Sequence, residues 1–196
     1  MYQKIILLGL SALLVACGGG GGGDTPSTNP AVPVTTPTVT VTIPAATYPV
    51  GSAELGGWTT LQQARVLCGF GALKQNAQLD AAATNHARYL TSISLASGTS
   101  VLSHYESDTS NPYYRGYEPW DRTMVAGYGS QVAEILEATV WNYDISNPPV
   151  LPTMQERGTS SMQSLLNTVY HLMGAMYDGA DVGFGADMQT AVNGIR

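Results

Sequence analysis

A run of six glycines at residues 18–23 divides the sequence into two parts of different composition. The residues that follow the run, up to Tyr48, are rich in proline and threonine and carry almost no charge. A segment of this kind buries too little apolar surface to offset the entropy that ordering would cost. We therefore assign residues 17–52 to a flexible, proline-stiffened tether. The fold is then confined to residues 53–196, a length sufficient for one domain with a single core.

The residues before the glycines have the pattern of a bacterial lipoprotein signal. A single lysine precedes an apolar run at residues 5–16, which is long enough for a signal-peptide core but too short to cross a bilayer. The run ends Leu14-Val15-Ala16-Cys17, which resembles a lipobox, the motif that directs cleavage and lipidation. The alternatives are an ordinary secretory signal with a chance cysteine, or a buried apolar segment. We predict a signal peptide at residues 1–16 and lipidation at Cys17.

A lipid on Cys17 predicts a location in the cell envelope, anchored on the extracytoplasmic side, with secretion as the alternative. The glycines after Cys17 replace the aspartate that often retains lipoproteins at an inner membrane. They favour the outer membrane where a cell has two. The membrane is thus the first expected partner.

Composition and the missing motifs exclude several functional classes. The formal net charge of −6 argues against nucleic-acid binding, which requires a basic face. The sequence contains no zinc-type cysteine pair, no Walker or dinucleotide glycine loop and no Gly-x-Ser-x-Gly elbow. Once Cys17 is modified, Cys68 has no intrachain partner, so we expect it to be buried as a small hydrophobic residue.

Two helices are predicted in the first half of the domain. A threonine within residues 58–61 caps the first helix and Gly69 ends it. The second begins at Leu79, because apolar residues recur at i, i+3 or i+4 as far as Ile93. His86 lies on this apolar stripe, where a lone histidine is more often a satisfied core residue than a ligand. We therefore leave His86 out of the candidate site.

Residues 94–128 lack regular periodicity, and loops of this length are usually functional or mobile. Their aromatic side chains are Tyr105, Tyr113, Tyr114, Tyr117, Trp120 and Tyr128. These rings either pack the loop onto the domain or line a groove for a sterol, lipid, glycan or peptide. Within the turn at residues 119–122, we expect Asp121 and Arg122 to brace the loop by pairing or by capping nearby backbone groups.

Two further helices and a strand are predicted in the second half. Ser130 caps a short helix that carries Glu134. Ser160 makes a capping box with the glutamine three residues on, and the helix that it begins has His171 at or just past its last turn. Residues 181–185 are predicted to form a short strand.

Several stretches occur in a recognisable order: Leu61-Gln62-Gln63-Ala64-Arg65, Leu79-Asp80-x-Ala82-Ala83-x-x-His86-Ala87, Ser103-His104, Gly127-Tyr128 before Val132-Ala133-Glu134-Ile135, residues 165–171, and Val182-Gly183-Phe184-Gly185. Together, over residues 58–185, they resemble a bacterial CAP domain. That superfamily is also called SCP-like, or cysteine-rich secretory protein, antigen 5 and pathogenesis-related 1. The resemblance implies an α+β fold, an α-β-α sandwich with helices on both sides of a small antiparallel sheet. Residues 186–196 then either supply a short last strand or leave the sheet truncated with an open edge.

The resemblance also implies a cavity site. His104 and His171 correspond to the family's paired histidines, and Glu134 corresponds to the glutamate of its Gly-Glu-Asn block. The family's second glutamate position falls on Thr168, so the cluster of four is incomplete. Glu106 is a candidate replacement, because residues i and i+2 of an extended segment face the same side and Glu106 follows His104 at that spacing.

Two histidines and a carboxylate suit more than one kind of chemistry. His104, His171 and Glu134 are candidate ligands for zinc or another divalent ion, or for acid–base chemistry near neutral pH. They also suit a structural polar cluster. Ser103 is a poor nucleophile for His104, because neighbours in an extended segment point to opposite faces. No residue is therefore assigned as catalytic.

Taken together, the residues favour a lipid-anchored, extracytoplasmic CAP protein. Its expected function is non-catalytic binding of a lipid, sterol or glycan, or of a divalent metal, at His104, Glu106, Glu134 and His171. One alternative is a metal-dependent hydrolase that uses the same cluster, and another is an adhesion or toxin-like interaction module. A small apolar ligand is the second expected partner, and the sequence does not decide the oligomeric state.

Overall fold

The computed structural model describes residues 41–144 and 147–189. All the described residues belong to one compact unit. The predicted signal peptide, the lipidation site at Cys17, most of the tether and the last seven residues, 190–196, lie outside the described residues.

The described residues contain five α-helices and two short strands. In chain order they are α1 (Ala53–Leu67), β1 (Lys74–Gln75), α2 (Ala77–Ser97), α3 (Pro119–Val125), α4 (Met154–Leu166), α5 (Val169–Ala175) and β2 (Asp181–Val182). This mixture of helices and sheet confirms the α+β class. The two strands pair in parallel, with Lys74 opposite Asp181, whereas the expected sheet was antiparallel. Parallel strands need a long crossover connection, and the chain between β1 and β2, which contains α2, α3, α4 and α5, is long enough to supply it.

Helix α1 begins earlier than its sequence pattern suggested. The Ser52 hydroxyl caps it by accepting a hydrogen bond from the backbone N of Leu55 at 3.1 Å. The hydroxyls of Thr59 and Thr60, in the stretch where the cap was expected, instead donate to backbone carbonyls one turn back inside the helix. Threonines make such bonds within helices, which is why a threonine alone does not mark a helix start.

Helix α2 confirms the strongest helical prediction. Its N-cap is Asn76, whose side chain accepts from the backbone N of Gln78 at 2.9 Å and from that of Leu79 at 3.2 Å. Its C-cap is Gly98, which adopts the left-handed conformation with φ of 69°. The apolar stripe, including His86, faces the interior.

The region around α3 differs from expectation in two ways. Residues 131–144, where a helix after Ser130 was predicted, form no helix, and α3 lies within the stretch that was predicted to be irregular. Pro119 occupies the first turn of α3, and Glu118 and Asp121 form a reciprocal capping box. Since the helix is only seven residues long, its periodicity was too short to detect.

Helix α4 begins at the capping box of Thr153 and Glu156 and not at Ser160. The Thr153 hydroxyl accepts from the backbone N of Glu156, and a Glu156 carboxylate oxygen accepts from the backbone N of Thr153 at 2.8 Å. These bonds hold the pKa of the Glu156 carboxyl below its usual value. Because α4 also ends sooner than expected, His171 lies in the separate helix α5.

The core lies between α1, α4 and the segment that contains β2. Its buried members are Leu61, Leu73, Met162, Leu165 and Ala175, with Val182 and Phe184 packed against them. The backbones of α1 and α4 approach closely at Gly158, where a Cβ would overlap the carbonyl group of Ala53. Residues 183–185 lie against α2 with similar closeness, since a Cβ at Gly183 would overlap the backbone of Leu79. This strand segment therefore runs between α2 on one side and the α1–α4 pair on the other.

Two residues within the predicted tether contact the domain. The backbone N of Thr47 donates to Oε1 of Gln75 at 2.6 Å, and the Tyr48 hydroxyl donates to Oδ1 of Asp80 at 2.6 Å. The Tyr48 ring also packs against Trp58 and Phe184, each with a centroid distance of 6.0 Å. Residues 47–52 are thus attached to the folded domain.

Cys68 was expected to be buried, and this is wrong. It follows the last residue of α1 and is exposed, with a free thiol. Helical spacing placed it on the inward stripe, but α1 ends at Leu67 and the chain turns away before the stripe reaches it. In the part of the chain that the structure describes, no helix has the length and apolar character to cross a membrane.

Candidate functional site

Arg122 of α3 lies at the centre of a buried cluster of charged side chains. Only 1% of the residue is exposed. Its Nη2 donates to both carboxylate oxygens of Glu134, at 2.8 and 2.7 Å, and its Nη1 donates to the backbone carbonyls of His104 at 3.0 Å and Tyr117 at 3.3 Å. One guanidinium therefore joins α3, the irregular segment that holds Glu134 and both ends of the loop at residues 104–117. This confirms the expectation that Arg122 braces the loop, and Asp121 does so too by accepting from the backbone N of Glu118.

His86 and Glu106 form the second half of the cluster. Nδ1 of His86 lies 2.9 Å from Oε1 of Glu106, and Nε2 of the same ring lies 3.0 Å from the backbone carbonyl of Ser103. The other oxygen of Glu106 accepts from the backbone N of Arg115 at 2.7 Å. Both ring nitrogens of His86 therefore have an oxygen atom as a hydrogen-bond partner.

The four side chains pair two carboxyl groups, those of Glu106 and Glu134, with the guanidinium of Arg122 and the imidazole of His86. Each carboxyl group lies within 4.0 Å of both nitrogen-bearing side chains. Nε of Arg122 lies 3.7 Å from Oε1 of Glu106, and Nε2 of His86 lies 3.9 Å from Oε1 of Glu134. Buried charges are tolerated only when they are paired and hydrogen-bonded. The cluster therefore forms a closed structural unit beneath the loop.

His104 connects this unit to the surface. Its Nδ1 lies 2.9 Å from Oε1 of Glu134, yet 44% of its side chain is exposed. In the neutral ring, Nδ1 donates to the Glu134 carboxylate and Nε2 carries the lone pair. No hydrogen bond to Nε2 is formed within residues 41–144 and 147–189. His104 thus offers an oriented acceptor to whatever approaches from outside.

The structure brings together only part of the predicted site. His104 and Glu134 are in contact, as the resemblance implied. Glu106 is not hydrogen-bonded to His104 and turns inward to His86, so the i, i+2 argument gave it the wrong partner. Its side chain is fully buried, whereas that of His104 reaches the surface.

His171 takes part in a different interaction. Its Nδ1 lies 2.6 Å from the Thr168 hydroxyl, one turn earlier at the start of α5. No hydrogen bond or ion pair of the described residues joins it to His104 or Glu134. Across the described ranges, no group of three or more His, Cys, Asp or Glu side chains is placed to hold a metal ion. The candidate metal ligands do not fit an ion in this arrangement.

Two members of the cluster were not among the predicted site residues. The expectation that His86 is a satisfied core residue is confirmed, because it is buried and both nitrogens have partners. Its place beneath His104 could not be deduced, since its partner Glu106 is 20 positions away in an irregular segment. For Arg122, the one available signal was its position in the turn at residues 119–122, which predicted a bracing role but not the contact with Glu134.

Aromatic rings of the loop lie at the surface close to His104 in sequence. The rings of Tyr105 and Tyr117 stack with centroids 5.0 Å apart, and the two residues are 48% and 50% exposed. Trp120 is also about half exposed, at 49%. Tyr128 packs differently, because its hydroxyl donates to Oδ2 of Asp181 at 3.3 Å. Burial, with Asp181 nearby, raises the pKa of that phenol.

Two concavities of the described surface were compared with the position of His104. The larger, about 320 Å³, is an open depression at the start of α4, lined by Thr153, Gln155, Glu156, Thr159 and Ser160. The smaller, about 120 Å³, lies between α2 and α3 and includes Arg122 in its wall. Neither has His104 or Glu134 among its lining residues. His104, with 44% of its side chain exposed, thus lies outside both concavities.

Comparison with family models, with curated proteins and with solved structures finds no match for this chain.

Proposed function

We propose that this chain is a lipid-anchored extracytoplasmic protein whose CAP-type domain binds a ligand at His104 without catalysing a reaction. The observation that carries the proposal is the set of hydrogen bonds that fixes the ring of His104. A buried guanidinium fixes Glu134, Glu134 fixes the ring of His104, and Nε2 of that ring is left facing outward as a hydrogen-bond acceptor. Fixing a side chain in this way reduces the entropy that it loses when a ligand binds.

The layering of the domain supports the CAP-type fold. The strand segment at residues 181–185 runs between α2 and the α1–α4 pair, as an α-β-α sandwich requires. The residues that carry the resemblance occupy consistent places, since His104 and Glu134, 30 positions apart, meet in space. The resemblance did not imply the parallel pairing of the two short strands or the separation of His171 from His104 and Glu134.

The surroundings of His104 indicate the chemical class of the ligand. The stacked rings of Tyr105 and Tyr117 give a half-exposed apolar surface next to His104 in the chain. Aromatic faces bind apolar rings and the C–H faces of sugars, and a histidine lone pair accepts a hydrogen bond from a hydroxyl. A ligand with a hydroxyl beside an apolar face fits both features, as sterols, hydroxylated lipids and glycans do.

Hydrolysis is supported less well by the contacts. The Ser103 hydroxyl donates to the backbone carbonyl of Tyr105 at 3.1 Å and accepts from the backbone N of Tyr105 at 3.0 Å. It is therefore engaged with the backbone and is not directed at the ring of His104. A nucleophile needs a base within hydrogen-bond reach, and Ser103 has none among these contacts.

The binding half of the proposal is tested with the full-length chain and three fluorescent probes: a sterol, a fatty acid and a chito-oligosaccharide. We expect saturable binding of at least one probe, and a loss of at least about tenfold in affinity in His104→Ala. His171→Ala is the matched histidine control and should bind as the wild type does. Binding that is unchanged in His104→Ala, or absent for all three probes, would contradict the proposal.

The anchoring half is tested separately by labelling cells with radioactive palmitate. We expect the wild-type chain to incorporate the label and Cys17→Ala to lose it. Equal labelling of the two chains would contradict lipidation at Cys17. It would not affect the proposal that His104 binds a ligand.

A further inference from the structure

The smaller cavity, between α2 and α3, has two arginines in its walls. Ala81, Ala82 and Asn85 of α2 form one side, Arg115 of the preceding loop forms another, and Arg122 and Val125 of α3 lie opposite. Its volume is about 120 Å³. It lies next to the charged cluster, because Arg122 belongs to both.

The charge of the cavity differs from that of the chain as a whole. The sequence has 14 Asp and Glu residues and only 8 Lys and Arg residues, yet two arginines and no carboxylate line this cavity. The charge of Arg122 is largely balanced by Glu134 and Glu106. Arg115 therefore supplies the uncompensated positive charge, which attracts anions.

The donors of Arg115 are only partly used. Its Nη1 donates to the backbone carbonyls of Pro112 at 3.0 Å and Tyr114 at 2.7 Å. Within the described residues, Nε and Nη2 form no hydrogen bond, and the ion pairs at 4.0 Å or less do not include Arg115. The amide of Asn85, across the cavity, likewise makes no hydrogen bond to the described residues. Guanidinium and amide N–H groups of this kind are suited to oxyanions.

The size of the cavity restricts the ligand further. The cavity, with a volume of about 120 Å³, has room for one small oxyanion. We propose that this cavity binds a small oxyanion, a carboxylate or a phosphate, through Arg115 and Asn85. The site is distinct from His104 and does not rest on the function proposed there.

Binding at this position has a physical consequence that can be measured. The backbone N of Arg115 donates to the buried Glu106, so Arg115 is already attached to the charged cluster. An anion that binds both Arg115 and Asn85 would also connect the loop to α2. A ligand that binds the folded chain and not the unfolded chain raises the melting temperature in a saturable way.

The experiment measures the melting temperature of the full-length chain during titration with sodium acetate or sodium phosphate, with sodium chloride at matched ionic strength as the reference. We expect a saturable rise with at least one oxyanion and none with chloride. A response to acetate alone indicates a planar carboxylate, and a response to phosphate alone indicates a tetrahedral ligand. The half-saturating concentration should increase at least tenfold in Arg115→Gln and in Ala81→Glu.

Arg88→Gln is the matched control, because Arg88 is an exposed arginine of α2 that does not line the cavity. It should respond as the wild type does. Ala81→Glu keeps the test decisive if Arg115→Gln does not fold, since Ala81 is an exposed helical position and the new carboxylate repels the anion without altering the loop. The absence of a saturable rise in the wild type, or the same rise in Ala81→Glu as in Arg88→Gln, would overturn the proposal.

Discussion

Arg122 makes four hydrogen bonds from a position that is almost completely buried. Two of them bind Glu134 and two bind the backbone at His104 and Tyr117. Because Glu134 in turn orients His104, the position of the candidate ligand-binding group depends on a side chain that does not reach the surface. The role of Arg122 is thus to position the site.

Replacing Arg122 should therefore reduce the stability of the folded domain. We expect Arg122→Ala to lower the free energy of unfolding by about 3–5 kcal/mol, because it removes the guanidinium that pairs with the buried Glu106 and the partly buried Glu134. Urea unfolding followed by circular dichroism measures this. Arg88→Ala, on the exposed face of α2, should change stability by no more than about 0.5 kcal/mol. Similar small effects for the two variants would show that the cluster does not stabilise the fold.

The phenol of Tyr48 predicts how the stability of the domain changes in alkaline solution. Burial, with the hydrogen bond to Asp80, raises the pKa of this phenol above its ordinary value near 10. The protonated phenol is thus favoured by folding, so its contribution to stability is present below about pH 10 and is lost as the pH rises further. We expect the wild type to lose stability between pH 9 and pH 11 (about two units around the ordinary phenol pKa) more steeply than Tyr48→Phe does in urea titrations. Parallel pH profiles would show that Tyr48 does not anchor residues 47–52.

At the scale of elements, the pairing of α1 with α4 depends on a close approach of two backbones. We expect Gly158→Ala to destabilise the domain by about 1–3 kcal/mol or more, because its Cβ would overlap the Ala53 carbonyl and backbone cannot move aside as a side chain can. Gly71→Ala is the control, since a Cβ at Gly71 meets no atom within 4 Å. Thermal unfolding compares the two variants, and equal melting temperatures would contradict this packing.

The start of α4 can be tested by comparing its two candidate caps. Thr153→Ala should cost about 1 kcal/mol, because the Thr153 hydroxyl accepts a hydrogen bond from a first-turn N–H. Ser160→Ala, inside the helix, should cost less than about 0.5 kcal/mol, since serine is a weaker helix former than alanine. Urea unfolding measures both effects. A larger loss of stability in Ser160→Ala than in Thr153→Ala would indicate that α4 begins at Ser160.

These elements show which features a sequence can reveal. Helix α2 was predictable because its apolar stripe extends over several turns and its C-cap is a glycine. The start of α4 was ambiguous because two capping-box patterns occur seven residues apart, and only the hydrogen bonds distinguish them. Helix α3 was missed because it is held by Arg122 and by a local capping box, and neither produces a periodic pattern.

The candidate site was predictable to the same limited extent. His104 and Glu134 were identified through the resemblance, whereas no pattern in the sequence links His86 to Glu106. Those contacts join α2 to an irregular loop, and the conformation of such a loop is set by tertiary hydrogen bonds. The burial of His86 was nonetheless predictable, because it lies on the apolar stripe of α2.

The whole molecule that we propose has three parts: a lipid at Cys17, a tether rich in glycine and proline, and a domain that presents His104. A tether of this composition allows the domain to reach ligands away from the membrane surface. Because the three parts depend on different residues, an experiment can contradict one of them without affecting the others. The central claim is that Nε2 of His104 contacts the ligand.

The most direct test observes the three histidines of the chain separately. Long-range ¹⁵N–¹H NMR spectra of the imidazole nitrogens are recorded with and without a probe that binds, and the assignments come from single His→Gln variants. We predict that Nε2 of His104 shifts on binding while both nitrogens of His86 and His171 stay where they are. A shift at His171 with none at His104 would contradict the account, and so would binding that moves no histidine resonance.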